Sequence, residues 1–162
     1  MNHLFTPWRM SYITNNSPKN GCVFCLALAE EDSDQNLIVF RGAQAFVILN
    51  RFPYTNGHVM VLPYEHCPTL EALDPITRAE MMELTTRATQ VLTGIYYPQG
   101  FNVGINLGEA AGAGVAAHLH IHIVPRWVGD VNFMTAVGET RVLPEALEVT
   151  WKKVREAWPL AK

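Results

Sequence analysis

Three histidines at alternate positions constrain the fold of this chain more than any other feature of its sequence. His118, His120 and His122 alternate with leucine and isoleucine, and an apolar run ending at Pro125 follows. On a β-strand, successive side chains point to opposite faces. The pattern therefore predicts a strand over 118–124, with the imidazoles on one face and the apolar side chains in the core. A single histidine is usually a satisfied polar residue, but three in strict alternation indicate a functional site.

The rest of the chain supplies further strands and two helices. Short apolar, β-branched runs predict strands over 37–41, 45–49, 58–62 and 101–107. Asp74 is a good helix cap and Pro75 fits a first helical turn, so a long helix begins there. A final helix is predicted to begin near Pro144, because apolar residues then recur at helical spacing. Strands, a helix, more strands and a last helix together predict an α+β fold with an antiparallel sheet.

The 162 residues amount to about one domain. Residues 1–20 are rich in turn-forming residues and predict an irregular N-terminal arm, whereas residues 21–162 are predicted to form a single domain. The arm carries Trp8, Met10 and Tyr12. These side chains would pack either on the domain itself or on a partner.

Charge and hydropathy exclude several classes of protein. Fifteen acidic and twelve basic residues give a net charge of −3, without the long basic stretch of a protein that coats DNA or RNA. No apolar run approaches the ~20 residues of a membrane span. The first residues also lack the apolar core of a signal peptide. We therefore expect a cytoplasmic protein.

Two kinds of chemistry compete for the histidine strand. The three imidazoles could bind a metal ion as a set. Alternatively, one imidazole could be a nucleophile toward phosphorus, with the others fixing its tautomer and contacting phosphate oxygens. The loop 108–115 is rich in glycine and alanine and leads into the strand, and small residues let backbone N–H groups approach an anion. The loop favours the phosphate chemistry.

The sequence over 118–124 resembles the signature of the histidine triad (HIT) family, His-φ-His-φ-His-φ-φ with φ apolar. Segments 49–53 and 57–63 resemble the other nucleotide-site segment of that family, and the likeness covers roughly residues 21–127. The arm around Trp8 and the stretch 125–133 look most like the prokaryotic diadenosine tetraphosphate phosphorylase-like branch. The resemblance implies a HIT-like antiparallel sheet of about five strands with two main helices, and a homodimer or higher homo-oligomer.

The resemblance also implies roles for individual residues. His120 would be the nucleophile, His122 would contact the transferred phosphate, His118 would orient the triad strand, and His58 would support the site. Residues implied to bind nucleotide, besides His120 and His122, are Asn50 at the ribose and Asn106, Gly112, Ala113, Gly114 and Val115 at the phosphates. From their own spacing alone, the asparagines could equally be turn residues.

The three cysteines include a C-x-x-C pair, Cys22 and Cys25, which favours metal binding or redox chemistry over a disulfide framework. The resemblance implies one structural zinc ion on Cys22, Cys25, His66 and His118. The alternative is a buried reduced pair without metal. No organic cofactor is expected.

The resulting functional hypothesis is an enzyme that cleaves a phosphoanhydride of diadenosine tetraphosphate or a related dinucleoside polyphosphate. Its intermediate would be a nucleotidyl group on His120, released by water or by inorganic phosphate. Candidate sites for that phosphate are the glycine-rich loop and Arg126 with Trp127. Three alternatives stay open: a nucleoside phosphoramidate hydrolase, a zinc-containing nucleotide-binding module with little turnover, and a metal enzyme with the three histidines as ligands.

Overall fold

The computed structural model describes residues 21–130 and 144–160. The predicted arm over 1–20 lies outside the described residues, as does the stretch 131–143. The helices are α1 (Val23–Leu28), α2 (Pro75–Tyr96) and α3 (Leu147–Ala157), and the strands are β1 (Ile38–Arg41), β2 (Ala45–Leu49), β3 (Val59–Pro63), β4 (Gly100–Ile105) and β5 (Ile121–Arg126). Short 3-10 turns occupy Glu109–Ala111 and Trp158–Leu160.

The five strands form one sheet in the order β1-β2-β3-β5-β4, and every neighbouring pair is antiparallel. With two longer helices beside it, this sheet confirms the predicted α+β fold. Strand β5 is central to the site, because it lies between β3 and β4 and carries the last of the three histidines. None of the described helices is long and apolar enough to cross a membrane.

Helix α2 covers one face of the sheet. Its N-terminus is capped by the Asp74 carboxylate, which accepts hydrogen bonds from the amides of Ile76 and Thr77 at 2.8 and 3.1 Å. Its buried stripe packs on β2, β3 and β5 and includes Met81, Leu84, Ala88, Val91 and Leu92. Ile121 and Ile123 of β5 join this core, so alternation along the strand turns His122 to the other face.

The histidine strand begins later than its sequence pattern predicts. The amide of Leu119 donates to the carbonyl of Cys67 at 2.7 Å, outside strand β3, and the ladder starts only where Ile121 pairs with Val61. The prediction of a strand from His118 is therefore wrong for its first three residues, although Leu119 is buried as the alternation requires. Other strand boundaries differ from the prediction by at most two residues.

The short helix α1 is absent from the sequence-based prediction. It has six residues, and the residue before it, Cys22, makes no side-chain capping bond, so no local pattern announces it. It matters because Cys25 and Phe24 lie on it. The ring centre of Phe24 lies 5.5 Å from the ring centres of both His118 and His120.

The turn between β1 and β2 is held by a carboxylate from α2. Glu80 accepts hydrogen bonds from the amides of Ala43 and Gln44 at 2.7 and 2.8 Å. A Cβ on Gly42 would lie 2.1 Å from Oε1 of Glu80 and 2.9 Å from the carbonyl oxygen of Ala45. Position 42 therefore has no room for a side chain, so it requires glycine.

Replacing Gly42 with alanine is expected to lower the free energy of unfolding by about 2 kcal/mol, because the methyl group displaces the Glu80 carboxylate and breaks charge-assisted bonds. Gly94→Ala is the matched control, since a Cβ there meets nothing within 4 Å and the residue lies inside α2. That change should stabilise the protein by roughly 0.5–1 kcal/mol. Urea denaturation of both variants measures the difference. A Gly42→Ala protein as stable as its parent would show that the Glu80 contact contributes nothing.

Candidate active site

Four histidine side chains lie close together at this site. The rings of His120 and His122 are 4.7 Å apart, centre to centre, and those of His122 and His58 are 5.1 Å apart. His118 precedes them and turns toward α1 and His66. The structure thus brings together all four histidines that the sequence singled out for catalysis.

His120 is held in one tautomer by the backbone. Its Nδ1 lies 2.8 Å from the carbonyl oxygen of His118, which can only accept, so Nδ1 carries the proton. The other nitrogen, Nε2, is then left with a lone pair. The side chain is only 5% exposed, and burial lowers its pKa, so the ring is neutral at pH 7. A neutral imidazole with one free lone pair is the form that acts as a nucleophile.

His58 and His122 form a second chain of fixed tautomers. The amide of Tyr54 donates to Nδ1 of His58 at 3.1 Å, so the proton of His58 is on Nε2. That nitrogen lies 3.0 Å from Nδ1 of His122, which must accept. His122 therefore carries its proton on Nε2. Burial, with a smaller contribution from neighbouring His120, lowers the pKa of His122 to about 4. Its Nε2–H can therefore serve as a neutral hydrogen-bond donor.

The two asparagines lie beside this histidine chain. The Oδ1 of Asn50 accepts from the amide of Phe52 at 2.9 Å, and its Nδ2 is 3.4 Å from Nδ1 of His58. Asn50 is therefore a turn residue, and one lone pair of its Oδ1 is left for a ligand. Asn106 reaches the glycine-rich loop, with its Nδ2 3.5 Å from the carbonyl oxygen of Gly112. Their ribose and phosphate roles stay predictions.

The glycine-rich loop uses some of its amides internally. Gly112 donates to the carbonyl of Glu109 at 2.9 Å, and Ala113 donates to that of Gly108 at 3.4 Å. Among the described residues, the amides of Gly114 and Val115 have no such partner. Within the predicted phosphate-binding stretch 112–115, the backbone N–H groups that remain available to an anion are therefore those of its second half.

A cavity of about 840 Å³ opens beside His122 and runs along β4 and β5. His120 and Asn50 are not among its lining residues. Arg126 lies on its wall, and its guanidinium contacts the Asp130 carboxylate through Nε at 2.5 Å and Nη2 at 2.9 Å, with Nη1 2.7 Å from Oδ1 of Asn102. This cation is already neutralised, which weakens the prediction that it binds phosphate.

A second cluster lies on the other side of His118 and could bind a metal ion. The ligand atoms of Cys22, Cys25, His66 and His118 all lie within 4.8 Å of one another. Nδ1 of His118 is 3.4 and 3.6 Å from the two sulfur atoms, and Nδ1 of His66 is 3.4 Å from Sγ of Cys25. Sulfur and nitrogen ligands of a tetrahedral zinc ion are about 3.6 Å apart.

The second nitrogen of His118 supports this use. Nε2 lies 3.0 Å from the carbonyl oxygen of Pro63 and so carries the proton, which leaves Nδ1 free to bind a metal ion. In the described part of the chain this is the one cluster of potential metal ligands, and it contains neither His120 nor His122. The hypothesis of a metal enzyme with three histidine ligands therefore finds no support in the geometry.

Sequence reasoning missed two aromatic residues of the site. Tyr54 packs on His58 at 4.6 Å and on His122 at 5.9 Å, ring centre to ring centre. Phe24 packs on the other side, against His118 and His120. Phe24 lies inside the C-x-x-C motif and Tyr54 lies four residues before His58, so proximity in sequence was the available signal.

Residues 31–128 match the model of the HIT domain, and the chain belongs to the HIT family. It is 38% identical over 165 residues to the AP-4-A phosphorylase of Mycobacterium tuberculosis, covering 98% of this chain and 85% of that protein. It is 32% identical to an adenylylsulfatase of Arabidopsis thaliana, over 70% of this chain and 56% of that one.

Among solved structures, the chain is similar to a zinc-bound histidine triad family protein from Mycobacterium smegmatis. The TM-score is 0.69 with 29% sequence identity, and the match covers 86% of this chain and 94% of the other. The comparisons confirm the family that the histidine pattern predicts.

Proposed function

We propose that this protein is a HIT-family enzyme that cleaves a phosphoanhydride bond of diadenosine tetraphosphate or a related dinucleoside polyphosphate. One observation carries the proposal: the hydrogen bond from Nδ1 of His120 to the carbonyl of His118, which leaves the lone pair of Nε2 as a nucleophile. The similarity to the mycobacterial AP-4-A phosphorylase supports the substrate class.

The reaction would proceed in two displacements. Nε2 of His120 attacks the α-phosphorus, the P–Nε2 bond forms, and the bond to the bridging oxygen breaks with its electron pair on the leaving nucleotide. The Nε2–H of His122 donates a hydrogen bond to a phosphate oxygen. An acceptor oxygen then attacks the same phosphorus, and the P–Nε2 bond breaks. Two steps through a covalent intermediate replace one difficult step.

We propose that inorganic phosphate is the acceptor, so that diadenosine tetraphosphate gives ADP and ATP. Of the two candidate phosphate sites, Arg126 is occupied by Asp130, whereas the amides of Gly114 and Val115 are unused by the described residues. Backbone amides at small residues suit an anion. These amides are therefore the better candidates for the acceptor site.

Product analysis at millimolar phosphate tests this proposal. We expect ATP and ADP in equal amounts, and ³²P from labelled inorganic phosphate in the β-position of ADP. The His120→Asn variant, assayed identically, controls for contaminating activity. AMP and ATP formed at a rate that is indifferent to phosphate would identify a hydrolase, and no cleavage of any dinucleoside polyphosphate would overturn the proposed function itself.

We also propose that Cys22, Cys25, His66 and His118 bind one structural zinc ion. Two thiolates and two imidazoles complete a tetrahedral set without an open position, which suits a structural rather than a catalytic role. The likeness to a zinc-bound family member supports this choice of metal. The ion would hold α1 against the start of the histidine strand.

The proposed enzyme is a single domain over residues 21–162, is cytoplasmic, and forms a homodimer or higher homo-oligomer. Helix α3 and the turn after it support the single domain, because Val154 of the helix and Trp158 of the turn are buried in the common core. Strand β4 supports self-association, since it lies at the edge of the sheet that the described residues form and its Val103 is 48% exposed. An open edge strand presents unpaired backbone groups to another chain.

A further inference from the structure

The cavity beside His122 differs in chemistry from the phosphate-binding part of the site. Its described walls carry three aromatic rings, those of Tyr54, Tyr96 and Trp127, and the side-chain amides of Asn56 and Asn102. His122 and Asn106, which are predicted to contact phosphate, also line it. Its charged lining residues, Arg126 and Asp130, pair with each other. Such a wall offers ring faces and neutral hydrogen-bonding groups.

These groups suit a nucleoside better than a phosphate chain. A nucleobase stacks on aromatic rings, and amides can hydrogen-bond to base edges and ribose hydroxyls. Phosphates, by contrast, need cations or free backbone donors. A volume of about 840 Å³ lies within the usual range for small-molecule sites.

The position of the cavity relates it to one end of the substrate. His122 lines the cavity, whereas His120, whose ring centre is 4.7 Å from that of His122, does not. In phosphoryl transfer the entering and leaving atoms are roughly in line, so the leaving part of the substrate extends away from His120. Asn50, the candidate for the transferred nucleoside, does not line the cavity either.

We infer that the cavity between β4, β5 and the Tyr54 loop binds the second nucleoside of a dinucleoside polyphosphate, which departs with the leaving nucleotide. This inference rests on the proposed function. Binding energy from this remote nucleoside would place the reacting phosphorus in front of Nε2 of His120. The protein would then prefer substrates with a nucleoside at both ends.

The glycines of β4 provide a matched pair of variants. Gly104 pairs with His122 across the sheet and lines the cavity, whereas Gly100 pairs with Arg126 and is not among the lining residues. A Cβ at either position meets nothing within 4 Å. Gly104→Val therefore fills space beside His122, and Gly100→Val adds the same side chain to the same strand outside the cavity.

The test is calorimetric binding to the inactive His120→Asn protein. The two ligands are diadenosine tetraphosphate and the terminal methyl ester of adenosine tetraphosphate, which has the same phosphate chain and charge but one nucleoside. We expect the dinucleotide to bind at least about 10-fold more tightly. Gly104→Val should abolish this difference, while Gly100→Val should retain it.

Equal affinity of the two ligands for the His120→Asn protein would overturn the second nucleoside site and leave the proposed function standing. The same holds if Gly104→Val weakens both ligands equally. Failure of both ligands to bind would overturn the proposed function as well. Should Gly104→Val fail to fold, by circular dichroism, the comparison of the two ligands decides alone.

Discussion

Replacing His120 with asparagine is expected to lower the turnover number by about 10⁴-fold or more, with the fold and nucleotide binding intact. The asparagine amide can still donate to the carbonyl of His118, so the buried hydrogen bond is kept. It has no nitrogen lone pair with which to attack phosphorus. The loss therefore falls on the chemical step and not on the Kd.

His122→Gln is the comparison for this variant. His122 donates a hydrogen bond but forms no covalent bond in the proposed reaction, so the expected loss is smaller, roughly 10²–10³-fold. Both variants should unfold at temperatures close to that of the parent protein, because neither change creates a large cavity.

Chemical trapping distinguishes the nucleophile from a residue that only assists. With substrate labelled at the α-phosphorus, the parent protein should acquire an acid-labile, base-stable label, typical of a phosphoimidazole. His120→Asn should acquire none. A His120→Asn protein that keeps most of its rate, or that is still labelled, would show that another residue is the nucleophile.

Removing the proposed zinc ion is expected to lower the melting temperature by about 10 °C. A ligand present at a thousand times its Kd stabilises the folded state by about 4 kcal/mol. In a protein of this size each kcal/mol corresponds to about 2–4 °C. Metal analysis of protein purified without a histidine tag should find about one zinc ion per chain. Mild chelation should lower thermal stability before it lowers the chemical rate.

Cysteine variants show whether the metal is in the predicted place. Changing Cys22 and Cys25 together to serine should remove the zinc and reproduce the drop in melting temperature. Cys67→Ser is the matched control, because this third cysteine is buried, contacts the carbonyl of Thr69 and is outside the cluster. It should retain the metal. Zinc retained by the double variant, or absent from the parent, would contradict the site.

The sequence by itself determined the class of fold and the principal histidines of the site. Alternation between histidine and aliphatic residues over 118–124 identified the strand that carries His122, and the Asp74-Pro75 pair marked the start of α2 correctly. These signals are local, because strand alternation and helix capping depend on neighbours a few residues away. The metal-ligand set and the nucleotide-binding residues came from the family likeness, and their roles stay predictions.

Only the tertiary structure decided which nitrogen of each histidine carries the proton. The tautomer of His58 is set by the amide of Tyr54, that of His122 by His58, and that of His118 by Pro63, partners up to 64 residues apart in the chain. It also decided that Arg126 pairs with Asp130, that β5 begins at Ile121, and that the cavity beside His122 is lined by neutral groups. These features depend on which strands become neighbours and in what register, and periodicity within a segment contains no information about either.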